Sequence, residues 1–413
     1  MNHHPVESVD TATAKVKGLD GALHGVRVLD LSQIASGPYC TSMLGDFGAE
    51  VIKVEPPQGD GLRAIDSIFG PNESAYFFGV NRSKRDIVVD IRTPRGAELL
   101  QELLAQADVV VLSMRPSAVE RLKLRYEDLA PQHPRLVYCL ITAFGEDGPR
   151  AEDPGMDIIA QALGGIMGLT GEVGGLPLKA GVPVGDFLGS FLACLGITLA
   201  LRVRDRDGVG QKVSINLLDG QVSLLANYVA AYERTKIPVR PIGGGHPQIV
   251  PYQVFEASDG PFVVACLTER FWPLLCDAIQ RPDLKVREDF ATNPLRVRER
   301  HVLVPMLAEL FRTRERAHWI ARLRAVDVPV SPVNYLEDVI TDEQVVHNGM
   351  VLDLMHPQYG QVRTVGNPVH LSATPAAPHG YPPALGQHTD AVLGELGYDA
   401  NAIAALRREG TVR

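Results

Sequence analysis

Cysteine and tryptophan are scarce in this chain, five and two residues among 413, and aromatic residues make up only 6% of it. The cysteines (Cys40, Cys139, Cys194, Cys266, Cys276) are scattered through mostly apolar stretches, and no two have C-x-x-C spacing. That argues against a disulfide framework or a zinc site and predicts reduced, buried thiols in the cytoplasm. The histidines supply no H-x-x-x-H pair, so no metal site is expected. Lysine and arginine are outnumbered by acidic residues, 40 to 49, and the formal charge of -9 argues against nonspecific binding of nucleic acid or an anionic membrane. Residues 1–18 have no apolar core segment, which predicts a disordered tail and no secretory leader. The apolar run after Asp186, LGSFLACLGITLA, reads as core because it is short and glycine-containing for a membrane span. The dinucleotide fingerprint G-x-G-x-x-G is absent, so NAD is not predicted.

What is present is a repeated α/β texture. VRVLDLS reads as a buried strand, QIASGP as a loop, YCTSMLGDFGAE as a helix and VIKVEPP as a second strand. The unit recurs through DIVVDIR, TPRGAELLQELLAQA and DVVVLSM, then RPSAVERL and LVYCLITAF, as in a doubly wound sheet. VSINLLDGQVSLLANYVAAYE predicts a strand running into one long helix, and the proline- and glycine-rich stretch after it predicts a long loop. VFEASDGPFVVACL predicts a hairpin turning at Asp259-Gly260. Three short helices follow in a smaller α+β region, and the chain ends in two more.

Four places could carry chemistry. Asp186, in GVPVGDFLGS, stands at or just before the start of a buried helix with close packing expected at Gly189, Ala193 and Gly196. The helix dipole and free N–H groups there would stabilise an anion, and Gly185 leaves room for a substrate; an ordinary N-cap is the simpler alternative. Gly243, Gly244 and Gly245 could form a mobile flap, against the commoner reading of a connector. Arg63, Arg82, Lys84, Arg85, Arg92, Arg115 and Arg121 follow strand ends and could hold a phosphorylated ligand, although any one of them is more simply a solvated surface charge. Asp157, in PGMDIIAQ, reads as a structural helix cap.

GVRVLDLSQIASGPYCTSMLGDFGAEVIKVEPPQGD, NRSKRDIVVDIRTPRG, PGMDIIAQALGGIMGLTG, GVPVGD, DGVGQKVSINLLDG and LGQHTDAVL occur in this order, and together they resemble the family III CoA-transferases from about Gly25 to Leu396. The resemblance implies an α/β fold with a Rossmann-like large domain built from both chain ends (19–225 and 334–413). A linker and glycine flap (226–252) would lead to a small α+β domain (253–333), and two chains would interlock as a homodimer. It implies that Asp186 is a catalytic carboxylate that becomes an aspartyl-CoA thioester. It also implies that Ala35, Ser36, Val89, Arg92, Arg115 and Arg121 approach CoA, with Pro56 replacing a frequent arginine. No tightly bound cofactor is implied; acyl-CoA is a substrate. HPQIVPYQVF and VVHNGMVLDLMHPQYGQV look most like succinyl-CoA-dependent dicarboxylate transferases, which implies a succinyl-CoA-like donor and a small di- or hydroxycarboxylic acceptor, with His246 or a flap arginine on its distal carboxylate. The related racemases need a His before the Asp of a G-H-D motif; the sequence here is Gly155-Met156-Asp157, and methionine transfers no proton.

Overall fold

The structure is a computed structural model that describes residues 20–413; the expected tail, 1–18, lies outside the described residues. Six short, valine-rich runs form one parallel sheet: β1 (Arg27–Asp30), β2 (Glu50–Glu55), β3 (Arg85–Val88), β4 (Val109–Leu112), β5 (Val137–Thr142) and β6 (Lys212–Asn216). Their order is β3-β2-β1-β4-β5-β6, every neighbouring pair parallel. The chain therefore winds outward in both directions from β1 and β4, and the carboxyl ends of those two strands form the crevice where such sheets bind ligands.

The helices that cover the sheet include α1 (Ser36–Asp46), α2 (Ala75–Val80), α3 (Pro94–Leu104) and α4 (Pro116–Arg121). Next come α5 (Asp157–Leu163), α6 (Val184–Asp207) and α7 (Leu217–Ser223). Local signals explain several boundaries. Thr93 caps α3 through its hydroxyl, which accepts from the Gly96 N–H, with Pro94 at the first helical position. Strand β4, VVVL, is buried along its whole length, as a parallel strand covered on both faces must be.

The chain divides into two compact units. The first takes the described part of Met1–Gly165 with Gly181–Ala226 and Gln344–Arg413. Its C-terminal helices, Thr389–Glu395 and Ala400–Arg408, return to the sheet: Val392, Leu393, Ile403 and Leu406 join the cluster of Ile52, Ile87 and Leu99. The Thr389 hydroxyl accepts from Val88 N, and His388 Nδ1 accepts from Asp86 N. A two-stranded ribbon, Val351–His356 with Gly360–Val365, belongs to the same unit.

The second unit, Ile166–Ala180 with Asn227–Glu343, holds an antiparallel sheet around Phe255, Phe262, Phe311 and Trp319. Two expectations fail near its start. The long loop is broken by paired strands, Gly245–His246 and Ile249–Ala257. Pro251 fits within the second strand because its carbonyl, rather than an N–H, makes the pairing bond, accepting from Cys266 N. The single long helix after β6 is two helices, α7 and Ala226–Thr235, and the break falls where one unit gives way to the other.

Candidate active site

Asp186 lies in the first turn of α6, a 24-residue helix that extends well past the apolar run read from the sequence. By length and composition the helix could cross a membrane, yet one of its faces (Gly189, Ala193, Ile197, Ala200) is buried in the fold. Close approach explains the small residues. A Cβ on Gly189 would stand 2.6 Å from Ser36 Oγ, and one on Gly196 would stand 2.5 Å from Val213 Cγ1. Ser190 Oγ donates to the Ser36 carbonyl at 2.7 Å, so α6 is tied to the first turn of α1. The two helix starts converge on one cavity of about 150 Å³ at the crevice between β1 and β4, walled by Ile34, Ala35, Ser36, Arg115, Met156 and Asp186.

Asp157 is no helix cap. It is the first residue of α5, after Met156 at the cap position, and its Oδ1 accepts from the Gly185 N–H at 2.7 Å while Oδ2 accepts from Gln161 Nε2. A carboxylate 28 positions earlier in the chain thus takes an N–H that the helix start was expected to offer an anion. The electrostatic outcome is the reverse of the expectation from the helix dipole. Burial first, and the Asp157 charge second, push the Asp186 carboxyl up to about 7. Among the described residues no lysine or arginine forms an ion pair with either carboxylate. The Tyr76 hydroxyl of α2 is pushed up to about 12 by burial and then by the charges of Asp186 and Asp157, so it keeps its proton at neutral pH.

The loop entering α1 is held in an uncommon conformation. Ile34, a β-branched residue, has φ +67°. Asp60 Oδ1 accepts from its N–H at 3.1 Å, and Ser113 Oγ accepts from Gln33 N at 2.8 Å. Behind this loop is a fully buried charge network. Lys53 Nζ donates to Asp60 and to the Ser32 carbonyl, and Lys84 Nζ donates to Asp30, Asn81 and the Pro38 carbonyl.

Of the basic residues picked from the sequence, most are committed internally. Arg63 pairs with Glu55, Arg82 with Asp46, Lys84 with Asp30, Arg85 with Glu50 and Glu395, and Arg92 with Asp90. Arg115 walls the Asp186 cavity, and Arg115 and Arg121 both line an adjoining open groove of about 510 Å³. Ala35, Ser36, Arg115 and Asp186 are therefore together, with Arg121 next door. Val89 and Arg92 are not among them: Val89 is 1% exposed in the core and Arg92 lies on the surface. In the second unit, Gly243 has φ +68° and donates to the Gly171 carbonyl, Gly244 accepts from Val254 N, and Gly245 begins a short strand. Pro56 follows β2 directly.

Residues 23–389 match the model of "CoA-transferase family III". The chain belongs to that family. It is 38% identical over 392 residues to a succinyl-CoA:glutarate CoA-transferase of Mus musculus, covering 94% of this chain and 90% of the relative. It is 36% identical to a succinyl-CoA:mesaconate CoA-transferase of Haloarcula hispanica, over 91% of this chain and 97% of that one. A CAIB/BAIF family protein from Brucella suis has the same fold, with TM-score 0.83 and 36% identity over 92% of this chain and all of that one. This protein is a CoA-transferase, with acyl-CoA as a substrate.

Asp157, bonded to the Gly185 N–H, and Tyr76, whose hydroxyl feels the charges of Asp157 and Asp186, are the residues at the site that sequence reading missed as such. Nothing in NESAYFF marks the tyrosine, and an Asp at a helix start is ordinarily a cap.

Proposed function

We propose that this CoA-transferase moves CoA from a succinyl-CoA-like donor to a small di- or hydroxycarboxylic acid through a thioester on Asp186. The observation that carries the reading is a half-buried carboxylate without a cation, facing a cavity at the crevice of the sheet. An ionised Asp186 oxygen adds to the donor thioester carbonyl, the C–S bond breaks, and CoA leaves as a thiolate. The thiolate then adds to the Asp186 carbonyl of the mixed anhydride and releases the donor acid. The acceptor carboxylate displaces CoA from the aspartyl thioester, and the thiolate returns to the acceptor's carbonyl, which restores Asp186. A carboxylate raised to about 7 is still partly ionised at neutral pH, and its higher basicity makes it the better nucleophile.

Arg115 and Arg121, which have no ion-pair partner among the described residues, suit the CoA phosphates at the groove, with Ala35 and Ser36 along the chain of the cofactor part. Val89 and Arg92 would reach the adenosine end only outside this cavity. The names of the relatives support the choice of donor and acceptor class. Met156 stands on the cavity wall, so the position from which a racemase would move a proton carries a thioether. In this reading two chains interlock as a homodimer, each with a large domain (19–225 and 334–413), a small domain (253–333) and a glycine flap at Gly243–Gly245. Phe191, Leu195 and Leu199, exposed at successive turns of α6, support a partner chain. Free thiols throughout suit a cytoplasmic setting.

The test is the intact mass after mixing with succinyl-CoA, before and after hydroxylamine. The expected result is a hydroxylamine-sensitive adduct of CoA mass in the wild type and none in Asp186→Ala, with turnover reduced by about 10⁴-fold or more. No adduct from several acyl-CoA donors, with α-proton exchange in deuterated water, would replace the transferase mechanism with an isomerase one.

A further inference from the structure

Gln221 of α7 is fully buried, and neither its Nε2 nor its Oε1 has a hydrogen-bond partner among the described residues. A carboxamide carries two donors and two lone pairs, and burying both of its polar atoms without a partner is costly. Its place is specific. A Cβ on Gly164, at the end of α5, would come within 2.4 Å of Gln221 Cβ. A Cβ on Gly185 would meet Gln221 Nε2 at 3.1 Å and Asp157 Oδ1 at 2.9 Å. Two glycines from separate elements thus clear the space in which this amide reaches the back of the first turn of α6. Its head ends beside the atom group formed by the Gly185 N–H and the Asp157 carboxylate.

We infer that Gln221 is a positioning residue for Asp186: its amide N–H edge faces the Asp157 carboxylate behind Gly185 without bonding to it, and its positive dipole offsets part of the charge that Asp157 presents to Asp186. This role rests on the proposed nucleophile. Gln221 touches no reacting atom; it acts through Asp157. The other titratable and charged groups that face Asp186 are Tyr76 from α2, and Asp153 and Arg115 on the cavity wall. From α7, the polar atom nearest the Cβ position of Gly185 is Gln221 Nε2.

The experiment is a titration of the Asp186 side chain by carboxyl ¹³C NMR in aspartate-labelled full-length protein, with the signal assigned by its loss in Asp186→Asn. Gln221→Leu removes the dipole, and the Asp186 midpoint is expected to rise. Gln221→Glu keeps the shape and adds a third negative charge, so the midpoint is expected to rise further, by about one unit. In Asp157→Asn, adding Gln221→Leu is expected to cause little further change, because the amide would then have lost the charge it acts on. A midpoint unmoved in the Leu and Glu variants, or an equal shift with and without Asp157, would overturn the inference. Should Gln221→Leu not fold, the isosteric Glu variant carries the same decision. Because this readout needs no acyl-CoA, its failure is separate from that of the proposed mechanism, which is decided by the wild-type CoA adduct.

Discussion

Two aspartates of the same unit, the fully buried Asp30 and the half-buried Asp186, are driven in opposite directions, and the contrast separates scaffold from site. Burial alone would raise both. At Asp30, the ammonium groups of Lys84 and Lys53 and the hydroxyls of Ser32 and Thr41 overcome it and hold the carboxyl at about 2. At Asp186 the nearby charge is another carboxylate, and the group is pushed up to about 7. The first arrangement fixes the geometry of a loop, because Lys53 also holds the Ser32 carbonyl and the Asp60 side chain that carries Ile34. The second leaves a carboxylate poorly solvated and unpaired, which suits a nucleophile and costs stability.

Removing a cation from the scaffold is the most direct way to break the contrast. Lys84→Met leaves Asp30 buried with Lys53 as its remaining cation and strips Asn81 and the Pro38 carbonyl of their donor. A buried ion deprived of its partner typically costs about 3–5 kcal/mol, and a loss of that size in a denaturant titration is expected. A change under about 1 kcal/mol would mean that the network does not hold the loop. The pH dependence has a definite sign. Asp30 titrates lower in the fold than when unfolded, so its contribution is present above about pH 4 and is lost as pH falls toward 2.

The same substitution chemistry at the site should do the opposite. Asp186 has a raised carboxyl in the fold, so its ionisation penalises folding: the penalty is absent below about pH 4, grows with pH and is complete above about 7. Asp186→Asn, which removes the charge and keeps the shape, is expected to inactivate the enzyme and to stabilise it by about 2 kcal/mol at pH 8, with the gain vanishing at pH 4. Thermal unfolding at the two pH values measures it. A variant less stable than the wild type at pH 8 would remove the distinction between the two aspartates.

Much of this was legible along the chain and the rest lay across it. The sheet could be read because parallel strands covered on both faces are runs such as VVVL, and α3 because Thr93-Pro94 announces a start. Asp186 stood out because small residues after it had to be explained, and Gly189 against Ser36 explains them. The arginines misled: sequence shows a charge but not its partner, and Arg63, Arg82 and Lys84 are buried in ion pairs instead of facing a ligand. Asp157 was read as a cap because its true partner, the Gly185 N–H, is far away in sequence. Pairing over such a separation is a property of the packed helices and leaves no local pattern.

Asp157→Asn sharpens the comparison with the smallest perturbation. Its side-chain oxygen can still accept from the Gly185 N–H, so the first turn of α6 keeps its anchor while the neighbouring charge disappears. The Asp186 carboxyl should then titrate lower, although not at its ordinary value, because burial is the larger cause of its rise. On the proposed mechanism, formation of the CoA adduct requires ionised Asp186, so its rate is expected to rise with pH through about 7 in the wild type. In the variant that rise is expected about one unit lower. Adduct formation would be faster than wild type near pH 6 and slightly slower near pH 8, where both are ionised and the less basic carboxylate is the weaker nucleophile. Single-turnover rates across this range measure it. A limb that stays in place would show that Asp157 holds the helix and leaves the reactivity of Asp186 to burial alone.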